Sequence, residues 1–297
     1  MSVSKNETDA RFSRVIGRAL RLSPAFLLIP GLLVIVFLFL WPLGQMIYFS
    51  FTDPTVGLAN YQRFFQTNSE VTSLVTTMKV SFISTILCAI VGYIYSYTMV
   101  HSSRLISRLL MVAVVLPMGV SFLVRTFSLQ AILRDTGLIN QALMAIGLIQ
   151  TPLPLIRNQF AVSVGIVSME LPFMVLPTYN TMMQINQKLL LAGEGLGATP
   201  LRVFLDIFFP LSLPGLLAGS LIVFVASLGY YVVPQLLGSG SQLFLSQDIS
   251  NWVQRQAQFG YGATIGVILL ILTLGTLLVA SLFVNIEKAF SQTAGGK

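Results

Sequence analysis

Few residues in this chain could do chemistry. The one cysteine, Cys88, lies inside an apolar run, and the one histidine, His101, stands at its end. One of each excludes an internal disulfide, a multi-cysteine metal site and a Cys/His nucleophile pair. There is no Gly-x-Ser-x-Gly and no His-Glu-x-x-His. There is also no phosphate-binding loop, since Gly295-Gly296-Lys297 has no hydroxyl residue after it and no helix to cap. ATP hydrolysis therefore belongs to another chain if the system uses ATP. The acidic residues are scattered, with no carboxylate pair in an acid/base setting. What remains is charge and aromatic polarity set in apolar sequence. Arg125 and Glu170 fall within long apolar runs, where an ionisable side chain costs about 2.5–3.5 kcal/mol on insertion scales. Such residues normally face a bundle interior or a wet cavity. Two readings fit them: they line a solute path, or Arg125 snorkels to an interface while Glu170 hydrogen-bonds within the packing. Tyr230 and Tyr231, just before Pro234, likewise either line a path, where their rings could stack on an organic cation, or belong to an interfacial aromatic belt. Trp252 and Tyr261 read as belt residues.

The elements that must position these residues follow from composition. Of 297 residues, 55% are hydrophobic and 9% charged, against roughly 25% charged in soluble domains. That is too little polar side chain to cover a water-facing surface. The apolar residues are gathered into six runs near 26–49, 80–100, 109–133, 160–182, 214–233 and 261–286, each long enough to cross about 30 Å of hydrocarbon. Backbone groups in lipid must be satisfied internally, so these runs are expected to be helices. The fold class expected is an all-α membrane protein with six transmembrane helices. Prolines 117, 172, 177 and 210 lie in or beside the runs and predict kinks. The first 25 residues are polar and basic, and the run after them is too long for a signal peptide, so it is expected to be retained.

The net charge of +7 sits mostly between the runs and reads as a topology signal rather than a nucleic-acid surface. With the N-terminus inside, the inner segments hold Lys5, Arg11, Arg14, Arg18, Arg21, Arg104, Arg108, Lys188, Arg202, Lys288 and Lys297. That is 11 of the 17 basic residues. Both termini are expected to be cytoplasmic. The chain divides into a cytoplasmic segment 1–25, one membrane domain 26–286, and a cytoplasmic tail 287–297. On the outer side, Leu138, Ile139, Leu143, Ile146 and Leu148 predict a short amphipathic helix within 136–149.

The loop at about 183–209 is too long for a plain helix–helix connection. It keeps Leu189, Leu190, Leu191, Leu196, Leu201, Val203, Phe204 and Phe208 and carries three close glycines, Gly193, Gly195 and Gly197. Thr199-Pro200 is a helix start, with Thr as N-cap and Pro at the first helical position. The pattern reads as helix, glycine turn, helix, with an apolar face that wants a partner surface.

This loop resembles the cytoplasmic motif of binding-protein-dependent ABC permeases, Glu-Ala-Ala, three residues, Gly, nine residues, Ile-x-Leu-Pro. Leu191-Ala192-Gly193 stands at Glu-Ala-Ala, Gly197 at the glycine, and Ile207-Phe208-Phe209-Pro210 at the end. Leu191 replaces the acidic residue, Gly193 replaces an alanine, and Glu194 stands one position beyond the triplet. Leu58-Ala59-Asn60-Tyr61 with Phe64-Phe65, Leu123-Val124-Arg125-Thr126-Phe127, Gly137-Leu138-Ile139-Asn140 and Leu171–Pro177 are similar to the spermidine/putrescine-type branch. The resemblance implies the type I importer permease fold and a role in moving a small organic solute, polyamine-like first, across a bacterial inner membrane. It implies a dimer of ATP-binding subunits carrying ATP and Mg, a second permease subunit and a solute-binding protein outside. It also implies that Leu191, Ala192, Gly193, Glu194, Gly197, Ala198, Thr199, Pro200, Arg202, Ile207 and Pro210 form the ATPase-coupling loop. An ion-gradient-driven transporter and a non-transporting structural subunit are the other classes compatible with an apolar helical chain.

Overall fold

A computed structural model describes residues 25–240 and 243–283. The segment 1–24, the tail 287–297 and the last residues of the sixth expected span lie outside the described residues, and so do the basic residues they carry.

The chain runs as helices joined by short turns. Helix α1 comprises Ala25–Ile35, a π-turn at Val36–Leu40 and Trp41–Thr52; α2 is Ala59–Gln66 and α3 is Asn68–His101. Helix α4 is Arg104–Val115, closing in a 3-10 turn at Leu116–Gly119; α5 is Phe122–Leu133, α6 Leu138–Ala145 and α7 Gln159–Met183. Helix α8 is Gln187–Gly195. Helix α9 joins Pro200–Val203, a π-turn at Phe204–Phe208 and Phe209–Leu228. Helix α10 is Val232–Leu237, α11 is Leu245–Ser250 with a π-turn at Asn251–Arg255, and α12 is Phe259–Phe283.

Among the described residues, five helices are long and apolar enough to cross a membrane unbroken: α1, α3, α7, α9 and α12. The third expected span is instead broken. The pieces Arg104–Gly119 and Phe122–Ala145 meet at 105°. Pro117 can donate no backbone hydrogen bond, and Val120 is extended at φ −91°, ψ 138°, so the helix stops and restarts at Phe122. Prolines 172 and 177, by contrast, sit inside a continuous α7. The amphipathic helix expected within 136–149 is α6, and the loop around Leu58–Tyr61 proves to be helical, as α2.

Helices α3, α7 and α9 pack against one another as the centre of the bundle, and α12 pairs with α1. The polarity of α3 is inside-out relative to a soluble helix. Its buried face carries Ser73, Thr77, Ser81, Ser84, Cys88, Gly92 and Ser96. Its exposed face carries Phe82, Ile83, Ile86, Leu87, Ile90 and Ile94. In lipid there is no hydrophobic gain in hiding leucine, so small residues take the interface and let backbones approach. A Cβ at Gly92 would stand 2.5 Å from Met174 Cγ, and one at Gly215 would stand 2.6 Å from the Pro177 carbonyl oxygen. These two glycines set how closely α3 and α9 meet α7.

Candidate functional site

Three constellations stand out, one at the loop end of the bundle, one in its interior and one at the opposite end.

The loop end is built around 183–209. Asn186 caps α8, its Oδ1 accepting from the Lys188 N–H at 3.0 Å. At the other end of α8, Gly197 N donates to the Glu194 carbonyl at 2.9 Å and Ala198 N to the Gly193 carbonyl at 3.1 Å. Gly197 takes φ +85°. This is the paired-bond αL stop that glycine favours. Thr199 Oγ1 then accepts from the Arg202 N–H at 3.4 Å with Pro200 at the first helical position, so the helix–turn–helix reading holds residue for residue.

Gly193 has a packing role. A Cβ there would sit 2.8 Å from Ile207 Cδ1 and 3.3 Å from Val203 Cγ2, so its lack of a side chain lets α8 lie against α9. Val203 and Phe208 are buried, and Phe208 packs on the rings of Tyr97 and His101 at the end of α3. Leu191, Leu196 and Leu201 face outward instead, Leu196 being 90% exposed. Ala192, Glu194, Thr199, Arg202 and Pro210 are exposed, while Ala198 and Ile207 are half-buried. The loop is thus anchored by one face and presents leucines with the other.

The interior cluster joins Arg125, Glu170 and Tyr230. Pro172 has no N–H, which leaves the Ser168 carbonyl one turn earlier without its helical donor. Arg125, reaching across from α5, donates to that carbonyl through Nη2 at 2.6 Å. Glu170 is buried on the same turn of α7, and the Tyr230 hydroxyl donates to its Oε1. Its Oε2 is buried with no partner. Phe122 stacks on the Tyr230 ring at 5.5 Å. Tyr230 is therefore an interior residue rather than part of a belt.

Tyr231 points elsewhere, into a polar cavity of about 330 Å³ between α10 and α11. The cavity is also lined by Gln235, Gln247, Ser250, Asn251, Gln254 and Arg255. The sequence reading missed these residues, although polar residues at 247, 250, 251, 254 and 255 repeat at helical spacing in an otherwise apolar chain.

Beside this cavity, α11 is held to α3. Leu245 N donates to Thr77 Oγ1 at 3.0 Å, and Trp252 Nε1 donates to Glu70 Oε1 at 2.9 Å. Tyr261 is buried against Trp252, and Arg63 lies over both rings at 4.2–4.7 Å. Tyr261 is thus enclosed at the junction of α2, α3, α11 and α12, and Trp252 is half-buried against it. Burial pushes the Asp248 carboxyl up to about 6, the Ser73 hydroxyl pulls it back, and neighbouring Glu70 adds to the rise. Glu70 Oε2 and Asp248 Oδ2 are both buried without a protein donor, and a proton held between the two carboxyls would satisfy both.

A bundle of apolar helices with a small, polar interior, closed at one end by an anchored helix–turn–helix with exposed leucines, defines a multi-pass membrane permease. The binding-protein-dependent transport system inner membrane component family matches this chain over residues 85–291, and the chain belongs to that family. It is 32% identical over 248 residues to the spermidine/putrescine transport system permease protein PotB of Haemophilus influenzae, covering 82% of this chain and 85% of that protein. It is 29% identical over 198 residues to PotB of Escherichia coli, covering 67% and 72%. A crystal structure of a bacterial ABC transporter involved in the import of the acidic polysaccharide alginate superposes with a TM-score of 0.70 at 18% identity, covering 93% of this chain and 98% of that one. The fold is that of type I importer permeases, and the chain is a permease subunit of an ABC importer of the inner membrane. Nothing in these matches points to an ion-gradient transporter.

Proposed function

We propose that this subunit conducts a small organic amine, polyamine-like first, with both termini and the 183–209 loop on the cytoplasmic side and residues 26–286 forming one membrane domain. The names of the relatives support the polyamine choice. In this reading the exposed face of Leu191, Leu196 and Leu201 seats in an ATP-binding subunit, one of a dimer that holds ATP and Mg. A second permease subunit completes the path, lipid surrounds the pair, and a solute-binding protein delivers from outside. No nucleic acid is involved. Arg125, Glu170, Tyr230 and Tyr231 border the path. Glu170 supplies negative charge among aromatic rings, a setting suited to an ammonium group.

The observation that carries the coupling role is Leu196, 90% exposed at the tip of a turn whose backbone is fixed by Gly197 and whose following helix is anchored by buried Val203 and Phe208. A membrane protein with no docking partner there would gain nothing from a rigidly presented leucine.

The test is ATPase activity of the chain co-purified with its transport partners and reconstituted in lipid. It is measured with and without binding protein and spermidine or putrescine, for wild type and Leu196→Asp. Stimulation of wild type, with loss in an intact or dissociated Leu196→Asp complex, is the expected result. Unchanged stimulation in Leu196→Asp removes the docking role from this turn. Hydrolysis that ignores both amines removes the polyamine assignment.

A further inference from the structure

The leucine turn reaches the bundle by a narrow route. Helix α8 packs chiefly on the first two segments of α9, Pro200–Val203 and the π-turn Phe204–Phe208. Beyond them, Phe209–Leu228 packs on α3 and α7. A displacement of the leucine turn therefore enters the bundle through Phe204–Phe208. A π-turn is a distortion frequent at functional sites.

Around this π-turn the contacts to α3 are aromatic. Phe204 and Phe208 stack on one another at 5.9 Å, with planes 20° apart. The Tyr97 ring stands edge-on to both, at 5.5 and 5.4 Å and 89°. His101 lies against the same ring at 4.1 Å, and its Nδ1 donates to the Tyr97 carbonyl oxygen at 2.9 Å. One turn earlier on α3, Tyr93 meets Phe204 at 6.3 Å and Phe209 at 5.6 Å. Its hydroxyl lies 3.0 Å from Ser212 Oγ on α9. Aromatic side chains have few torsions and prefer particular edge-to-face geometries, so a shift on one side is passed on rather than absorbed. Aliphatic side chains would bury similar surface without fixing that geometry.

We propose that Tyr97 and Phe204 are positioning residues for coupling, their rings carrying displacement of the leucine turn onto α3. Helix α3 packs along α7, which bears Glu170, so the route ends at the charge assigned to the solute. The inference rests on the coupling reading of the 183–209 loop and not on which amine is carried.

The experiment uses the transporter co-purified with its ATP-binding partner and reconstituted in lipid. The binding protein is added as purified, with its own bound solute. Three quantities are read: assembled complex, basal ATPase, and the ratio of stimulated to basal hydrolysis. Coupling is reciprocal, so a route that carries the ATPase's stroke inward also carries the binding protein's signal back. Tyr97→Leu and Phe204→Leu each remove one ring, and Tyr97→Phe keeps it. Both leucine variants should assemble and hydrolyse ATP at the basal rate, because the face of Leu191, Leu196 and Leu201 is untouched. Their stimulation by binding protein should be lost, while Tyr97→Phe should behave as wild type. A purely structural role would lower basal and stimulated hydrolysis together and leave the ratio unchanged. An unchanged ratio in both leucine variants, a Tyr97→Phe defect equal to that of Tyr97→Leu, or failure of both leucine variants to assemble would overturn the proposal. Leu196→Asp acts on docking itself and separates the two readings. If it abolishes stimulation while the ring variants couple normally, the loop reading stands and only this route is lost. If Leu196→Asp is without effect, or wild type is not stimulated, the loop reading falls and the route falls with it.

Discussion

Glu170 has two carboxylate oxygens in a buried position and one donor, the Tyr230 hydroxyl. Removing that donor with Tyr230→Phe leaves a buried acceptor with nothing to replace it, a loss of about 1–3 kcal/mol. Thermal unfolding of the purified complex should show it. Glu170→Gln keeps an acceptor for Tyr230 while removing the charge, so it should retain most of the stability. If Glu170 serves the solute, uptake of an amine falls in Glu170→Gln although the protein is intact. Equal uptake would assign Glu170 to packing alone. At Asp248 the prediction concerns pH. Its carboxyl titrates higher in the folded protein, near 6, than in the unfolded chain. The protonated form is therefore the one that folding favours. Its stabilisation is complete below the ordinary aspartate range, declines as pH rises toward about 6, and is absent above. The groups facing it are Glu70 and Ser73 from α3, with Trp252, Tyr261 and Arg63 around them. Asp248→Asn resembles the protonated form at every pH. It should flatten the stability profile between pH 4 and 7 and add on the order of 2 kcal/mol at pH 8. Parallel profiles for the two proteins would show that no proton is held there.

At the scale of elements, what was legible was what local chemistry dictates. Thr199-Pro200 and Gly197 specified the turn because an N-cap hydroxyl, a ring-fixed φ and a left-handed backbone are properties of single residues. The unbroken α7 was half legible. Pro172 and Pro177 signalled kinks, but the partner that relieves Pro172 is Arg125, 47 positions earlier in the chain, and no local pattern pairs them. The break after Pro117 was hidden because the apolar run continues through it, and apolar content reports burial in lipid rather than straightness. The acidic pair was hidden for a similar reason. Glu70 and Asp248 are far apart in sequence, and each alone looks like a loop charge. Glycine spacing carried more than was read from it. Gly215 faces the backbone of α7, where a Cβ would meet the Pro177 carbonyl at 2.6 Å, and backbone cannot swing aside as a side-chain tip can. Gly215→Val should therefore separate α9 from α7 and lower stability by about 2 kcal/mol or more. Gly193→Ala meets the flexible end of Ile207 instead, and helix propensity repays part of the contact, so its effect should be much smaller. Thermal unfolding of the two variants side by side checks the difference, and equal losses would mean that the α7–α9 contact is not backbone-limited.

Across the whole molecule the two ends of the bundle differ in kind. One end carries the rigid leucine turn beside the α3–α4 connection, where Tyr97 and His101 pack on Phe208. The other gathers α2, α6, α10 and α11, the polar cavity and the carboxyl pair. Alternation of five unbroken helices and one broken pair fixes which loops share an end, but the direction in the membrane rests on the excess of basic residues on the leucine-turn side. That excess rests largely on residues 5–21, and cysteine labelling reads the orientation directly. The protein supplies a clean background for it. Cys88 is its only cysteine and is fully buried in the bundle, so a membrane-impermeant maleimide should not label intact cells expressing wild type. A cysteine at Val56, 86% exposed beside α2, should be labelled from outside. A cysteine at Leu196, 90% exposed on the turn, should be labelled only once the membrane is opened. The reverse pattern would put the leucine turn outside, beyond reach of any cytoplasmic ATPase, and the coupling role would fall with it. Labelling of Leu196→Cys should also be blocked when the ATP-binding partner is present, because a docked turn has no exposed tip. Reactivity that is unchanged by the partner would separate correct orientation from correct docking, which neither helix packing nor charge distribution can do alone.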